Sequence, residues 1–254
     1  MEGRNVFTFN LSPGKVFRRL LYGDIALTLI SVLATLFIYH HDIRLNQALL
    51  ILSTNEEASL STWYASFKLL VCAGFVYLIY RQKSAGRDRF TRHWKVLCGI
   101  LLYISIDEIA TFRESIAEVL YPVIRGSGIF RHNWVILVLP IVVLTAVFYI
   151  RFLVNLPKRT RRLFTASGAM FVVGAMGFEM ATAQLKTLYP KDEWQMEQRL
   201  IHLAFTHTEE LLEMVAISLL LYAVLYYIRK YQVLDACHMG LSTHSSPVSA
   251  KKEG

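Results

Sequence analysis

Six apolar blocks, each near the roughly 20 residues that cross a bilayer as helix, leave this chain few ways to fold. LLYGDIALTLISVLATLFIY runs from Leu20 to Tyr39 and TWYASFKLLVCAGFVYLIY from Thr62 to Tyr80. WKVLCGILLYISIDEIATF covers Trp94 to Phe112, and NWVILVLPIVVLTAVFYIRFLV covers Asn133 to Val154. LFTASGAMFVVGAMGFEMATAQL spans Leu163 to Leu185, and the last block runs from about Phe205 to Ile228. Charged residues make up only 18% of the chain, against roughly 25% in soluble domains. The expected fold is all-α: a polytopic bundle of six transmembrane helices over residues 20–231. A cytoplasmic segment, 1–19, precedes it, and a polar, Ser-rich, disordered cytoplasmic tail, 232–254, follows.

Charge sets the expected orientation. The net charge of +8 would suggest nucleic acid in a soluble protein, but its distribution points elsewhere, and no nucleic-acid partner is expected. Most basic residues fall on alternate sides of the blocks: Arg4, Lys15, Arg18 and Arg19; Arg81 to Lys95; Arg151 to Arg162; Arg229 and Lys230. The positive-inside rule then places both termini in the cytoplasm, with the lipid bilayer and its anionic headgroups as the first partner. Trp63, Trp94 and Trp134 each open a block, where an interfacial aromatic belt would put them. The first block is too long for a cleavable signal peptide. Cys72, Cys98 and Cys237 have no metal-ligand spacing.

The chemistry is expected at acids inside or beside these blocks: Asp107, Glu108 and Glu114, then Glu179, then Glu209, Glu210 and Glu213. A carboxylate in hydrocarbon costs several kcal/mol unless paired, protonated or hydrated, so such residues mark functional sites by default. At about 1.5 Å of rise per residue, all fall in the outer half of the membrane. Asp107, Thr111 and Glu114 stand at i, i+4 and i+7, one helical stripe, and Glu213 follows Glu209 and Glu210 by four and three. Glu179 shares a face with Gly168, Ala175 and Thr182, on a helix whose small residues allow close packing. Lys68, at nearly the depth of Asp107 and Glu108, is the expected counter-ion. Glu114, Glu209 and Glu210 can instead be headgroup-level charges, the last two near a helix start.

Three external segments, about His40–Ser61, Arg113–His132 and Lys186–Thr206, are expected to be loops. They hold or adjoin His40, His41, His132, His202 and His207. His207 and Glu210 stand at i, i+3, so a divalent metal held by His207, Glu210, Glu114 and Glu179 is one expectation. Pro140 should bend the fourth helix.

The combination of NEEASLSTWYAS, DRFTRHW, LLYISIDEIATFRE, RFLVNLPKRTRRLFTASGAMFVVGAMGFEM and HTEELLEM resembles a family of bacterial integral membrane proteins without established function, often labelled hypothetical or loosely multidrug transporter. The resemblance runs from about Asn55 to Tyr231. It implies a six-helix protein of the bacterial inner membrane with recurring intramembrane acids, and it supplies no reaction. Two departures stand out against that family: Arg113 where a His precedes the second acid of the third helix, and Ser53 where the external loop commonly has an acid, beside Asn55 and Glu57. Lys68 also looks particular to this chain.

Three functions fit the sequence. Proton- or cation-coupled transport of a small ion or molecule uses acids whose protonation changes as substrate moves, although the sequence shows no repeat and no clearly broken helix pair. The alternatives are a membrane-embedded metal-dependent enzyme acting on a lipid or quinone, and a non-catalytic sensory or scaffold protein. Hydrolase and nucleotide-binding motifs are missing from the sequence.

Overall fold

The computed structural model describes residues 12–41, 59–122, 126–189 and 194–233, and every regular element among them is helical. In chain order they are α1 (Pro13–His41), α2 (Leu60–Ala85), α3 (Thr91–Ala110), α4 (Phe112–Leu120), a 3₁₀ turn (Gly128–Phe130) and α5 (Asn133–Asn155). Then come α6 (Lys158–Val172), a π-helical segment (Val173–Phe178), α7 (Glu179–Leu188) and α8 (Met196–Lys230). Ser53, Asn55 and Glu57, the side chains of His40, His41 and Glu114, and the tail beyond Val233 lie outside the described residues.

Five helical stretches are long and apolar enough to cross a membrane: 13–38, Leu60–Ala85, Asn133–Asn155, Lys158–Leu188 and Met196–Lys230. α3 has a span's length, 20 residues, but Arg92, Lys95, Asp107 and Glu108 lower its apolarity.

The burial pattern reverses that of a soluble protein. Leu29, Leu33, Leu139, Ile141, Leu144, Val147 and Ile150 are exposed, while Asp24, Lys68, Ser105, Asp107, Ser167 and Ser218 are buried. In water the exposed apolar surface would be a large liability; lipid tails are as apolar as these side chains and cover it without cost.

α8 is the post around which the bundle forms, packing on α1, α2, α6 and the π segment, while α2 pairs most extensively with α3. Leu69, Cys72, Val76, Trp94, Leu101, Phe152, Phe164, Ile217, Leu221 and Val224 make one core at the basic end. Trp94 and Trp134 are 1% and 6% exposed, so the belt expectation fails for both; only Trp63, 64% exposed, faces outward. Polar contacts stitch the helices where apolar burial supplies no drive. The Ser66 hydroxyl donates to the Ser105 carbonyl (2.6 Å) and Ser105 returns the bond to Ser66 (2.9 Å). Ser167 donates to the carbonyl of Ala216 (2.9 Å).

At the α2–α3 turn, Asp88 accepts from the Phe90 amide (2.8 Å) and pairs with Lys83 (2.9 Å). Burial pushes the Asp88 carboxyl up, but these donors outweigh it and hold the group below the usual carboxylate range.

Three expectations about boundaries change. The expected continuous third helix ends at Ala110: Thr111 is left-handed (φ 49°, ψ 37°) and α4 starts anew. The Asp107–Thr111–Glu114 stripe therefore does not exist. α8 begins at Met196, so the expected loop to Thr206 is mostly helix, and Glu209 and Glu210 lie three turns inside it rather than at its start. The π segment widens the helix by a residue and shifts the phase of the small-residue face. Ser167, Gly174 and Ala175 face inward while Gly168 faces out, with nothing near it.

Gly174 marks the closest approach of the π segment to α8. A Cβ there would sit 3.0 Å from Glu213 Cγ, 3.3 Å from the Glu209 carbonyl and 3.3 Å from Leu212 Cβ. Gly174→Leu must push the two helices apart and should destabilise by about 2 kcal/mol, read as a lower thermal midpoint in detergent. Gly168→Leu, facing open space, should leave the midpoint unchanged.

Candidate functional site

Two interruptions define the site, because both fall at acids. α3 stops two residues after Glu108, and the π segment ends immediately before Glu179. A helix broken in the bundle leaves amide donors and carbonyls without i±4 partners, and polar side chains supply them.

Asp107 does this at the α3–α4 junction. Its backbone carbonyl accepts the Thr111 amide (2.8 Å), one side-chain oxygen accepts the Arg113 amide (3.0 Å), and the other meets Arg113 Nε at 2.6 Å. The Arg113 guanidinium lies 4.8 Å from the centre of the Trp134 ring. Asp107 is thus a buried fastener with its own cation, not a free carboxylate. Arg113, which read as a departure from the resembled family, is what completes it.

Glu179 is the hub. Its Oε1 lies 2.7 Å from His132 Nδ1, and Trp134 donates to the same carboxylate. His132 Nε2 lies 3.3 Å from Lys186 Nζ. On the other side, the Glu209 carboxyl is within hydrogen-bonding reach of Glu179. Two carboxylates so close repel each other unless a proton or cation stands between them. Glu210 and Glu213 continue the cluster along α8, with Glu108 and Arg113 as electrostatic neighbours. Glu108, Glu179, Glu209, Glu210 and Glu213 are all half-buried. From α3, α7 and α8, five of the seven expected acids come together, four of them with Arg113 as a neighbour; Asp107 borders them, and Glu114 is on α4.

Lys68 is the main correction. The expected counter-ion of Asp107 and Glu108 instead pairs with Asp24 at 2.5 Å. Asp24 is a residue that the reading of the acids overlooked, although it stands in the open within the first apolar block. Arg113 takes the place assigned to Lys68 at Asp107, while Lys68 remains an electrostatic neighbour of Glu108. The histidines also move. His202 is buried inside α8 rather than in a loop, His207 is buried on the same helix, and His132 is a partner of the hub. Among the described residues, no three His, Cys, Asp or Glu side chains converge as a metal-holding group.

Thr111 carries the strain of the junction, since a β-branched residue in the left-handed region costs about 1–3 kcal/mol. Thr111→Gly should raise stability by about 1 kcal/mol, read as a higher thermal midpoint. Arg113→Leu, which strands the buried Asp107 charge, should cost about 3 kcal/mol in the same assay.

No curated protein and no solved structure matches the chain. Residues 25–227 match a family model described as Domain of unknown function (DUF8692), and the chain belongs to that family.

Proposed function

We propose that this is a six-span membrane protein, α3 being the sixth span, with its basic-flanked ends and both termini in the cytoplasm of a bacterial cell. Its acid cluster carries protons in step with the movement of a small solute or ion. The observation that carries this reading is the coincidence of two helix interruptions with the acids. Broken helices lining a polar cavity are the usual setting of ion and substrate sites in carriers, and a π segment loosens a helix where function needs it.

The chemistry follows from the contacts. Half-buried carboxyls on α8 exchange protons among themselves, because neighbouring acids cannot all ionise in an apolar surround. The Glu209–Glu179–His132–Lys186 series then links the cluster to the loop end of the bundle. Imidazole, with one nitrogen towards Glu179 and the other towards Lys186, suits a proton shuttle.

A pH jump on liposomes adsorbed to a solid-supported membrane tests this without knowledge of the solute, since proton entry into the cluster itself displaces charge. Protein-containing liposomes should give a transient current that empty liposomes lack. Glu179→Gln and Glu213→Gln should reduce its charge at least tenfold with insertion intact. A wild-type trace indistinguishable from empty liposomes would overturn the reading.

A further inference from the structure

A second polar centre, beside the acid cluster and with Glu108 as its electrostatic neighbour, is closed where the first is half-open. It joins α1, α2 and α8. Asp24 and Ser218 are 0% exposed and Lys68 is 2% exposed. Lys68 Nζ donates to Asp24 Oδ1 (2.5 Å), to the backbone carbonyl of Met214 (2.9 Å) and to Ser218 Oγ (3.2 Å). The Ser218 hydroxyl turns its own proton to Asp24 Oδ2 (2.7 Å). The Tyr64 ring faces the ammonium at 4.4 Å.

An ion pair alone would need only Asp24. Here a carboxylate oxygen, a main-chain carbonyl oxygen and a hydroxyl oxygen converge on one positive point, with an aromatic face beside them. Ser218 directs its lone pairs, not its proton, at that point. Hard oxygen donors of these kinds are what an alkali cation takes up when it leaves water. The ammonium of lysine is a compact point charge with three donors, and all three are used. One carboxylate balances one positive charge, so a divalent ion would leave a net charge buried at high cost. The spacing of the oxygens around Nζ suits an ion of ammonium or potassium size.

We infer that Asp24, Ser218 and the Met214 carbonyl form a monovalent-cation site whose built-in occupant is the Lys68 ammonium. The wild-type protein binds no alkali ion there, because its own side chain fills the position. Removing that side chain exposes the site to a free ion of the same size and charge, which restores the link between α1 and α8. The inference stands independently of proton movement through the acid cluster.

Thermal unfolding of the detergent-purified protein in chloride salts of ammonium, potassium, sodium or N-methyl-D-glucamine, at equal ionic strength and neutral pH, tests it. Wild type should unfold at one temperature in all four. Lys68→Ala should unfold several degrees higher in ammonium or potassium than in N-methyl-D-glucamine, with a saturable dependence on ion concentration, as ligand binding to the folded state requires. Lys68→Ala combined with Asp24→Asn should lose that gain. A gain in sodium that also needs Asp24 supports the same site with its oxygens drawn closer. Indifference of Lys68→Ala to all three small cations overturns the inference, as does a gain that survives Asp24→Asn. Should Lys68→Ala fail to fold, Lys68→Ser takes its place; if neither folds in any salt, no ion replaces the ammonium and the inference fails.

Discussion

A charge inside an apolar bundle is stable only when it is answered within hydrogen-bonding distance, and this constraint organises the whole chain. Asp24 on α1 cannot remain buried without Lys68 on α2, and Lys68 cannot fill its three donors without Met214 and Ser218 on α8. Three helices far apart in sequence are thereby fixed to one point. Lipid supplies no hydrophobic drive for helices to associate, so polar contacts must supply specificity. The serine pair between α2 and α3 and the Ser167–Ala216 bond between α6 and α8 do the same with neutral groups.

The two polar centres answer the constraint differently. At Lys68 every donor and acceptor is matched and water is shut out, which favours one rigid arrangement. At Glu179 the acids outnumber their basic partners: Arg113 serves Asp107, and His132 serves Glu179. Glu108, Glu209, Glu210 and Glu213 share Arg113 at longer range and otherwise face neighbours of their own sign. Such a cluster is tolerable only with protons or a mobile cation among its members. That imbalance, more than the number of acids, separates a site that can change state from one that holds the fold.

Much of this was legible in the sequence. Apolar block length located five helices long and apolar enough to span a bilayer, because hydrocarbon thickness fixes helix length whatever the side chains. Charge in apolar surroundings located the acids of α3, α7 and α8 for the same reason. Local reading failed where tertiary partners decide. Nothing around Thr111 marks a helix end, since threonine disfavours the left-handed region; the junction is held by Asp107 and Arg113, whose pairing appears only in three dimensions. The phase slip at Val173–Phe178 is equally silent, because a π turn needs no special residue. Depth alone paired Lys68 with Asp107, whereas helix neighbours pair it with Asp24. That partner was visible as an acid within the first block, and weighing every buried charge, not only the clustered ones, would have found it.

The two interruptions bear on each other through α8. Gly174 lets the π segment rest against Glu209 and Glu213, while Glu108, just before the other break, is an electrostatic neighbour of Glu210 and Glu213. A change of charge on α8 is therefore felt at both weakened points of the bundle at once. Continuous helices resist such a force through their backbone hydrogen bonds, and helices already broken at the point of contact do not. A rigid fastener at Asp24–Lys68, tied to α8 through Met214 and Ser218, leaves the acid-bearing half of α8 as the part free to respond. Under the proposed proton-linked reading, protonation in the cluster acts on the bundle only because the breaks and the fastener stand where they do.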